Sequence, residues 1–400
     1  MLVQFSVTNY RSLRDKVTIS MLAGTDKEHA NDLIQADSKK YLVPTVAIYG
    51  ANASGKSNML MALKTMQDMI TGTSAQLLKE KKLPYDPFVL SKNMQPLSTE
   101  FEIIFYYRSI KYAYSFSYDS NQIITEYLYH WPNGREALIF SRDNGNFEFR
   151  ENVSEQNVLA GRTPANRLYL VSSNEWNAPQ TELAYKWFAE KLLPYDEHNT
   201  PDFTSDMLYP KAEESGSLQA KIIQELMIAD LGIIGVSCDK DLKTGKYTDI
   251  VFSHEYEYNG ETDVEYLSLE QESTGTQRFF ARIGPWIEAL EKGGILFVDE
   301  IDASMHPSLT RRLVEMVQDL SINTNHAQLI FTTHDAMLLD LTLLRRDQVW
   351  FTEKDPKSLA TDLFSLWDFS VRKGENIRKG YLQGRFGAIP FIGGDAQWQE

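Results

Sequence analysis

The chain has 400 residues, of which 42% are hydrophobic and 24% charged, a composition typical of a globular protein with two or three domains. The net charge of −15 argues against a general polyanion binder, because the mean field repels phosphate. The lone cysteine, Cys238, excludes an intramolecular disulfide and a zinc cluster and fits a reducing compartment. With no signal peptide and no membrane-length apolar run, the sequence predicts a cytoplasmic protein without a membrane partner.

The first 150 residues alternate between predicted strands and one predicted helix. Strands are expected at 2–8 and 16–22, and a polar linker over 23–41 leads to an apolar run from Val43 to Tyr49 that is typical of a buried parallel strand. A helix is predicted from Ser57 to Ile70. Four runs rich in Phe, Tyr, Ile and Thr then predict an antiparallel meander. These runs are 100–107, 110–118, 123–130 and 137–142.

A P-loop pattern connects the buried strand to its helix. Gly50 and Gly55 let the backbone curl so that successive N–H groups point at one phosphate chain. Lys56 is expected to reach the β- and γ-phosphates of ATP, and the Ser57 hydroxyl to hold Mg²⁺. The helix N-terminus would face the phosphates. The residues predicted to bind the nucleotide here are Gly50, Asn52, Ala53, Ser54, Gly55, Lys56, Ser57 and Asn58.

The middle of the chain has a different character. Apolar spacing predicts helices over 183–192 and 218–228, separated by a polar connection over 195–217. Strand patterns return at 233–239 and 247–252. We therefore expect a mainly helical insertion between two lobes, and the predicted fold class is α/β, a mixed sheet flanked by helices with an antiparallel β subdomain.

A second set of chemical groups lies in the run from Gly293 to Glu300, an apolar strand that ends in two carboxylates. Asp299 can bind the hydration shell of Mg²⁺, and Glu300 can act as a general base on water. Upstream, a Ser/Gly-rich turn at 272–277 opens a helix predicted over 278–291, and such a helix N-terminus is a second phosphate cradle. Because one chain has little use for two cradles on one nucleotide, the sequence predicts a head-to-tail dimer or a higher even oligomer.

These motifs resemble those of ABC and SMC ATPases. Ser273 and Gly275 are similar to the signature loop of that class, although the sequence is not the transporter type. Asp302, two residues after Glu300, resembles the D-loop, and His334, at the end of the next predicted strand, resembles the switch histidine that contacts the γ-phosphate. The resemblance implies an Mg²⁺-dependent ATPase fold of ABC type, in which Lys56, Glu300 and His334 are catalytic and Ser273, Gly275 and Asp302 act at the dimer seam.

More specifically, the chain resembles RloA-like ATPases, bacterial proteins often found with a TOPRIM-type nuclease and linked to phage defence. The resemblance implies an ATP-driven sensor or regulator of a partner effector nuclease, and it implies that Arg11 approaches the phosphates. The motifs that carry it are Asn9-Tyr10-Arg11-Ser12, Glu272 to Thr276, Asp299 to Pro307, Leu344 to Phe351 and Tyr381 to Pro390.

Four segments and several alternatives follow from these patterns. A basic C-terminal segment with Arg372, Lys373, Arg378, Lys379 and Arg385 could dock a partner, touch nucleic acid or form a solvated helix face. The principal alternative function is a RecF/SMC-like DNA-binding repair ATPase. A transporter subunit and a degenerate scaffold fit the motifs less well, and Gln95 is a weak candidate for the Q-loop. The predicted segments are 1–150, 151–232, 233–370 and 371–400.

Overall fold

In the computed structural model, described residues are 1–26, 28–72, 82–90, 97–195, 216–229, 232–240, 247–371 and 374–389. They form two compact units, Met1–Leu192 with Ile330–Glu400, and Leu193–Leu329. The division predicted from sequence character has other bounds and stays a prediction. Gln95, Arg372 and Lys373 lie outside the described residues, as does most of the predicted connection at 195–217.

The secondary structure is mixed. The strands are β1 (Leu2–Thr8), β2 (Val17–Ser20), β3 (Ile34–Gln35), β4 (Tyr41–Leu42), β5 (Thr45–Gly50), β6 (Thr99–Tyr107), β7 (Ile110–Tyr118), β8 (Ile123–Trp131), β9 (Ala137–Asp143), β10 (Asn146–Phe149), β11 (Leu192–Pro194), β12 (Ile233–Lys240), β13 (Tyr247–Tyr258), β14 (Glu261–Ser268), β15 (Ile295–Val298), β16 (Gln328–Thr332), β17 (Val349–Lys354) and β18 (Thr361–Ser365). The α-helices are α1 (Lys56–Thr71), α2 (Val153–Arg162), α3 (Tyr169–Glu175), α4 (Pro179–Lys191), α5 (Gly216–Ala229), α6 (Thr274–Lys292), α7 (Pro307–Gln318) and α8 (Ile377–Leu382). None of the helices within the described ranges is long and apolar enough to cross a membrane.

The first unit contains a seven-stranded antiparallel sheet in the order β10-β9-β8-β7-β6-β1-β2. The predicted meander is confirmed, and the two N-terminal strands extend it through the pairing of β1 with β6. Its apolar face is covered by α4, where the Trp187 ring stacks on Phe105 with centroids 4.0 Å apart. Rings of this size supply much of the apolar area that a small core buries.

The first unit also holds the strand that carries the P-loop. Strand β5 is buried along its whole length, pairs in parallel with β17 and lies between β16 and β17 in the strand order. Strand β18 pairs antiparallel with β17. A strand covered on both faces requires a continuous apolar run, which explains why the sequence of residues 45–49 clearly predicts a buried parallel strand.

The second unit contains a three-stranded antiparallel sheet, β12-β13-β14, and the strand β15 between β11 and β16. Helix α6 forms its core: Trp286 is fully buried and donates from Nε1 to the carbonyl of Leu313 in α7 at 2.9 Å, and Phe280 packs edge-on against Phe252 of β13. The chain passes from one unit to the other twice, after Leu192 in β11 and after Leu329 in β16.

The predicted α/β fold class is confirmed, together with the antiparallel β subdomain and the helices that follow it. The structure adds elements that the sequence patterns did not predict, among them β10, β14, β17, β18, α2 and α3. Helix α3 has only seven residues, five of them buried, so it is too short to show the periodic apolar stripe that marks an amphipathic helix in a sequence.

Candidate nucleotide-binding site

The P-loop is a tight backbone turn between β5 and α1. Strand β5 ends at Gly50 and helix α1 begins at Lys56, so the predicted strand–loop–helix context is present. Two residues within the loop have left-handed backbone angles, Ala53 at φ 62° and Gly55 at φ 107°. Such angles turn successive peptide N–H groups toward one side of the chain, which is the geometry that binds anions.

The two glycines of this loop have no room for a side chain. A Cβ on Gly50 would stand 2.6 Å from the carbonyl oxygen of Thr352, and a Cβ on Gly55 would stand 2.8 Å from the Ser12 hydroxyl. Real Cβ atoms essentially never come so close to other heavy atoms. The loop therefore requires glycine at both positions, by space at Gly50 and by both space and φ at Gly55.

Lys56 lies across the mouth of the turn. Its side chain is only 6% exposed, and Nζ donates to the carbonyls of Gly50 and Ala51 at 2.9 and 3.1 Å. Ser57 follows in the first turn of α1 and is half-buried, whereas Asn52 and Ala53 are exposed at the tip. The turn thus presents an ammonium group and a helix N-terminus, which can bind the phosphates of ATP, and a hydroxyl, which can bind Mg²⁺. The residues therefore fit both ligands.

A chain of hydroxyl groups holds the P-loop from behind, and we call it the brace network. Asn58 Nδ2 donates to Ser12 Oγ at 2.7 Å. Ser12 Oγ is 2.7 Å from Thr361 Oγ1, which itself donates to the backbone carbonyl of Ser54 at 2.7 Å. The members of the brace network are Ser12, Ser54, Asn58, Thr352 and Thr361.

The other end of the brace network reaches β17. The hydroxyls of Ser54 and Thr352 are 2.6 Å apart, and Thr352 Oγ1 also lies 3.3 Å from the carbonyl oxygen of Tyr49. Thr352 and Thr361 were not predicted as site residues. They follow Ser54 by about three hundred positions, and single threonines in strands carry no recognisable signal.

Arg11 lies beside α1. Its backbone is left-handed at φ 51°, its Nε is 2.8 Å from Asp86 Oδ2, and its Nη1 is 2.6 Å from the sulfur of Met61. These contacts hold the guanidinium against Asp86, and a contact of Arg11 with the phosphates stays a proposal.

The end of β16 brings a histidine and an aspartate next to β5. His334 is exposed two residues after the strand, and the N–H of Thr333 donates to the carbonyl of Ile48 in β5 at 3.1 Å. Asp335 is also tied to β5, because the Tyr49 hydroxyl donates to its carbonyl at 3.3 Å. The carboxylate oxygen Oδ2 of Asp335 is buried, and it has no hydrogen-bond partner among the residues that the structure describes. The sequence analysis did not select Asp335, although it directly follows His334.

In the second unit, the signature-like loop is the N-terminus of α6. Ser273 is the N-cap, and its Oγ accepts from the Thr276 N–H at 3.1 Å, which satisfies one of the four donors that a helix start leaves open. Gly275 lies in the first turn and is half-buried. The preceding Glu272 is buried, with Oε1 2.6 Å from Nε2 of His254 in β13.

The two acids of the predicted metal and water site follow β15. Asp299 and Glu300 are exposed, and Glu300 has φ 48°, a left-handed conformation that is uncommon for a residue with a long side chain. Arg282 of α6 is buried and donates from Nη1 to the carbonyl of Ile301. This bond ties the turn that contains Glu300 and Asp302 to the helix that Ser273 caps.

The predicted site residues thus fall into two groups, each ordered within its own unit. The first unit brings the P-loop, the brace network and the end of β16 together around β5. The second unit joins Ser273 and Gly275 to the turn after β15 through α6. Their assignment to ATP and Mg²⁺ is a proposal that rests on these two local geometries.

No curated protein matches the chain. Among solved structures, the chain is similar to an SMC head domain from Thermotoga maritima, at 13% identity, with 92% of this chain and 99% of that chain covered and a TM-score of 0.45. It is also similar to a SmcHead bound to the C-winged helix domain of ScpA, at 15% identity, with 93% and 98% coverage and a TM-score of 0.45.

The sequence profile of one protein family provides the assignment. The fold class rests on the strand order and the P-loop. The family profile matches residues 46–340, a range that includes the P-loop, the signature-like loop, both acids after β15 and His334. Since this range is well over half of the chain, the protein belongs to the family of AAA domains described as putative AbiEii toxin, type IV toxin–antitoxin system.

Proposed function

We propose that the protein binds ATP with Mg²⁺ and hydrolyses it, and that two chains dock head to tail as in ATPases of the ABC type. The observation that carries this proposal is the P-loop: a fully buried strand, a turn that admits only glycine at two positions, and the buried Lys56 at the helix start. Membership of an AAA family supports the same activity.

Each residue has a distinct part in the proposed reaction. The P-loop N–H groups and Lys56 bind the β- and γ-phosphates, and Ser57 with Asp299 holds Mg²⁺, which when bound neutralises phosphate charge. Glu300 orients the attacking water and takes its proton, and His334 contacts the γ-phosphate. Ser273, Gly275 and Asp302 act from the opposite chain. Catalysis is then mostly positioning and charge neutralisation.

Two substitutions test the activity, one at Lys56 for nucleotide binding and one at Glu300 for hydrolysis. Lys56→Ala should weaken binding of a fluorescent ATP analogue by about tenfold or more, because it removes the cation at the phosphates. Lys64→Ala is the matched control, since Lys64 is an exposed lysine of the same helix whose ammonium pairs with Asp68. Equal affinities of the two variants would contradict the assignment of the P-loop.

Glu300→Gln separates hydrolysis from binding. The amide keeps the size of the side chain but cannot accept a proton, so ATP turnover should fall by about a hundredfold or more while affinity is preserved. Size-exclusion chromatography with ATP should then show an increased dimer fraction, because the γ-phosphate that joins the chains persists. Turnover that equals the wild-type rate would remove Glu300 from its role, and a monomer under all nucleotide conditions would refute the head-to-tail dimer.

We further propose that the ATPase is RloA-like and regulates a partner effector nuclease in bacterial phage defence. This rests on the motifs quoted above and on the family description, which names a toxin. Co-expression with the product of the adjacent gene, followed by a nuclease assay with and without ATP, tests it. ATP-dependent DNA binding by the chain alone, without any nuclease partner, would instead support the RecF-like alternative.

The basic C-terminal segment is partly an element of the folded unit. Tyr381 and Phe386 stack on Phe351 of β17, with ring centroids 5.6 and 5.9 Å away, and Arg385 forms an ion pair with Glu375. Lys379 is exposed on α8. Docking of a partner by this segment stays a proposal, and Lys379→Glu would reduce recovery of the complex if it is correct.

A further inference from the structure

The three-stranded sheet of the second unit has an exposed edge. Strand β14 is terminal in the order β12-β13-β14, and in the part of the chain that is described it pairs only with β13. Both strands remain paired out to Tyr258 and Glu261 at the turn. An edge strand is a template for another strand, and proteins normally cover or block it.

The direction of the backbone groups along β14 can be read from its neighbours. The N–H of Glu255 in β13 donates to the carbonyl of Gly232, on the side of β12. Glu255 therefore has no backbone group directed at β14, and it forms a non-hydrogen-bonded pair with Val264. In such a pair the N–H and C=O of Val264 point away from β13. The contacts agree. The Val264 N–H donates to Asp263 Oδ1 at 2.8 Å, and the Tyr266 N–H donates to Glu265 Oε1 at 3.2 Å. These outward N–H groups are thus held by flexible side chains on the surface.

The two faces of this edge differ in chemistry. Glu261, Asp263 and Glu265 alternate along β14 and share one face, about 7 Å apart. Val264 and Tyr266 lie on the other face, and Tyr266 is 63% exposed. There is no lysine or arginine from His254 to Tyr266. Two copies of this edge would repel each other, whereas a strand with Lys or Arg at every second position would pair with all three acids.

We propose that β14 is a docking edge for an extended segment of a partner protein in which basic residues alternate with apolar ones. The added strand exchanges main-chain hydrogen bonds with Val264 and Tyr266, places its basic side chains against the acidic face, and places its apolar side chains against Val264 and Tyr266. The acids exclude a phosphate backbone, so the partner surface is protein and not nucleic acid.

Strand β14 is directly connected in the chain to the signature-like loop. Strand β14 runs through a single turn at Leu269–Gln271 into Glu272 and the N-cap Ser273. His254 of β13 holds Glu272 at 2.6 Å. On the basis of the proposed function, a strand added to β14 would therefore change the position of the loop that acts on ATP in the opposite chain.

Binding of a defined peptide tests the docking edge without nucleotide, so its outcome is independent of the proposed ATPase. The probe is a fluorescein-labelled peptide of about ten residues with Lys at alternate positions and Val or Thr between them. A peptide of the same composition with the lysines in one block is its control. In fluorescence anisotropy with the full chain at about 0.15 M salt, the alternating peptide should bind about tenfold more tightly. Equal binding of both peptides would overturn the proposal.

Variants of the edge locate the binding. Val264→Pro removes one outward N–H and leaves the bonds of Asp263 and Glu265 to β13, so the affinity should fall by about tenfold, whereas Val264→Thr should retain it. If Val264→Pro unfolds the sheet, the charge variants decide. Neutralising Glu261, Asp263 and Glu265 as Gln, Asn and Gln should abolish binding, and neutralising the exposed Glu136, Glu151 and Glu155 as Gln should not. Equal losses in the two triple variants would overturn the proposal, because the attraction would then be general.

Discussion

Replacing Thr361 with valine removes one hydroxyl from the brace network and keeps the volume of the side chain. Thr361 is 2% exposed. Its Oγ1 donates to the Ser54 carbonyl and is bonded to Ser12 Oγ, both at 2.7 Å. In the variant the Ser54 carbonyl and the Ser12 hydroxyl both lose a partner in a site where water has little access. Leaving buried polar groups unsatisfied costs about 1–3 kcal/mol in total here.

The matched control is Thr45→Val in β5 of the same unit. Thr45 is also fully buried, but within the described part of the chain its Oγ1 has no hydrogen-bond partner. Valine at that position removes an unsatisfied hydroxyl and suits a strand, so the stability should stay the same or rise slightly. The comparison isolates the hydrogen bonds of Thr361 from the general effect of exchanging a buried threonine.

Urea unfolding and nucleotide binding provide the two readouts. Thr361→Val should lower the free energy of unfolding by about 1–3 kcal/mol relative to Thr45→Val. It should also raise the Kd of an ATP analogue by about tenfold, because the Ser54 carbonyl is no longer fixed and the P-loop N–H groups lose their alignment. Identical unfolding midpoints for the two variants would refute the energetic reasoning, and an unchanged Kd would show that the brace does not order the loop.

Two further substitutions probe neighbouring features. Gly55→Ala should abolish nucleotide binding and cost about 1–3 kcal/mol of stability. The control is Gly145→Ala, at φ 84° with open space around it, which should lower the unfolding midpoint only slightly and leave binding intact. Similar nucleotide affinities of the two variants would contradict the crowding at Gly55. Asp347→Asn should cost about 3–5 kcal/mol in urea unfolding, because Arg345, 3% exposed, pairs with both oxygens of Asp347. Asp15→Asn, which removes an exposed partner of Arg14, is the control and should change little.

The elements that the sequence predicted well are those whose chemistry is local. The P-loop strand and α1 are adjacent in the chain, and each has the period of its secondary structure. The antiparallel meander is predicted by its β-branched and aromatic runs. Each of these features can be read from a window of some ten to twenty residues.

Most of the features that escaped prediction depend on distant residues. Thr361 and Thr352 meet the P-loop only because β17 lies beside β5. The left-handed Glu300 lies in the turn that Arg282 holds, and an arginine in the middle of a helix gives no sign of its partner in the sequence. The exposed edge of β14 escaped because that strand itself was missed, since its acids at alternate positions do not resemble a buried strand.

Strand β17 connects two of the motifs quoted above, both far from the P-loop in the sequence, to that loop. Phe351 and Thr352 are neighbours on β17 and point to opposite faces. Thr352 bonds Ser54 in the P-loop, while Phe351 packs against Tyr381 and Phe386. The C-terminal motif therefore packs on the face of β17 that points away from the P-loop, and it stabilises the strand whose other face braces that loop. The aromatic residues of this motif are best explained as support for the proposed ATP site. A substitution such as Phe386→Ala should change the conformation of the P-loop through β17, although the ring itself is not proposed to contact the nucleotide.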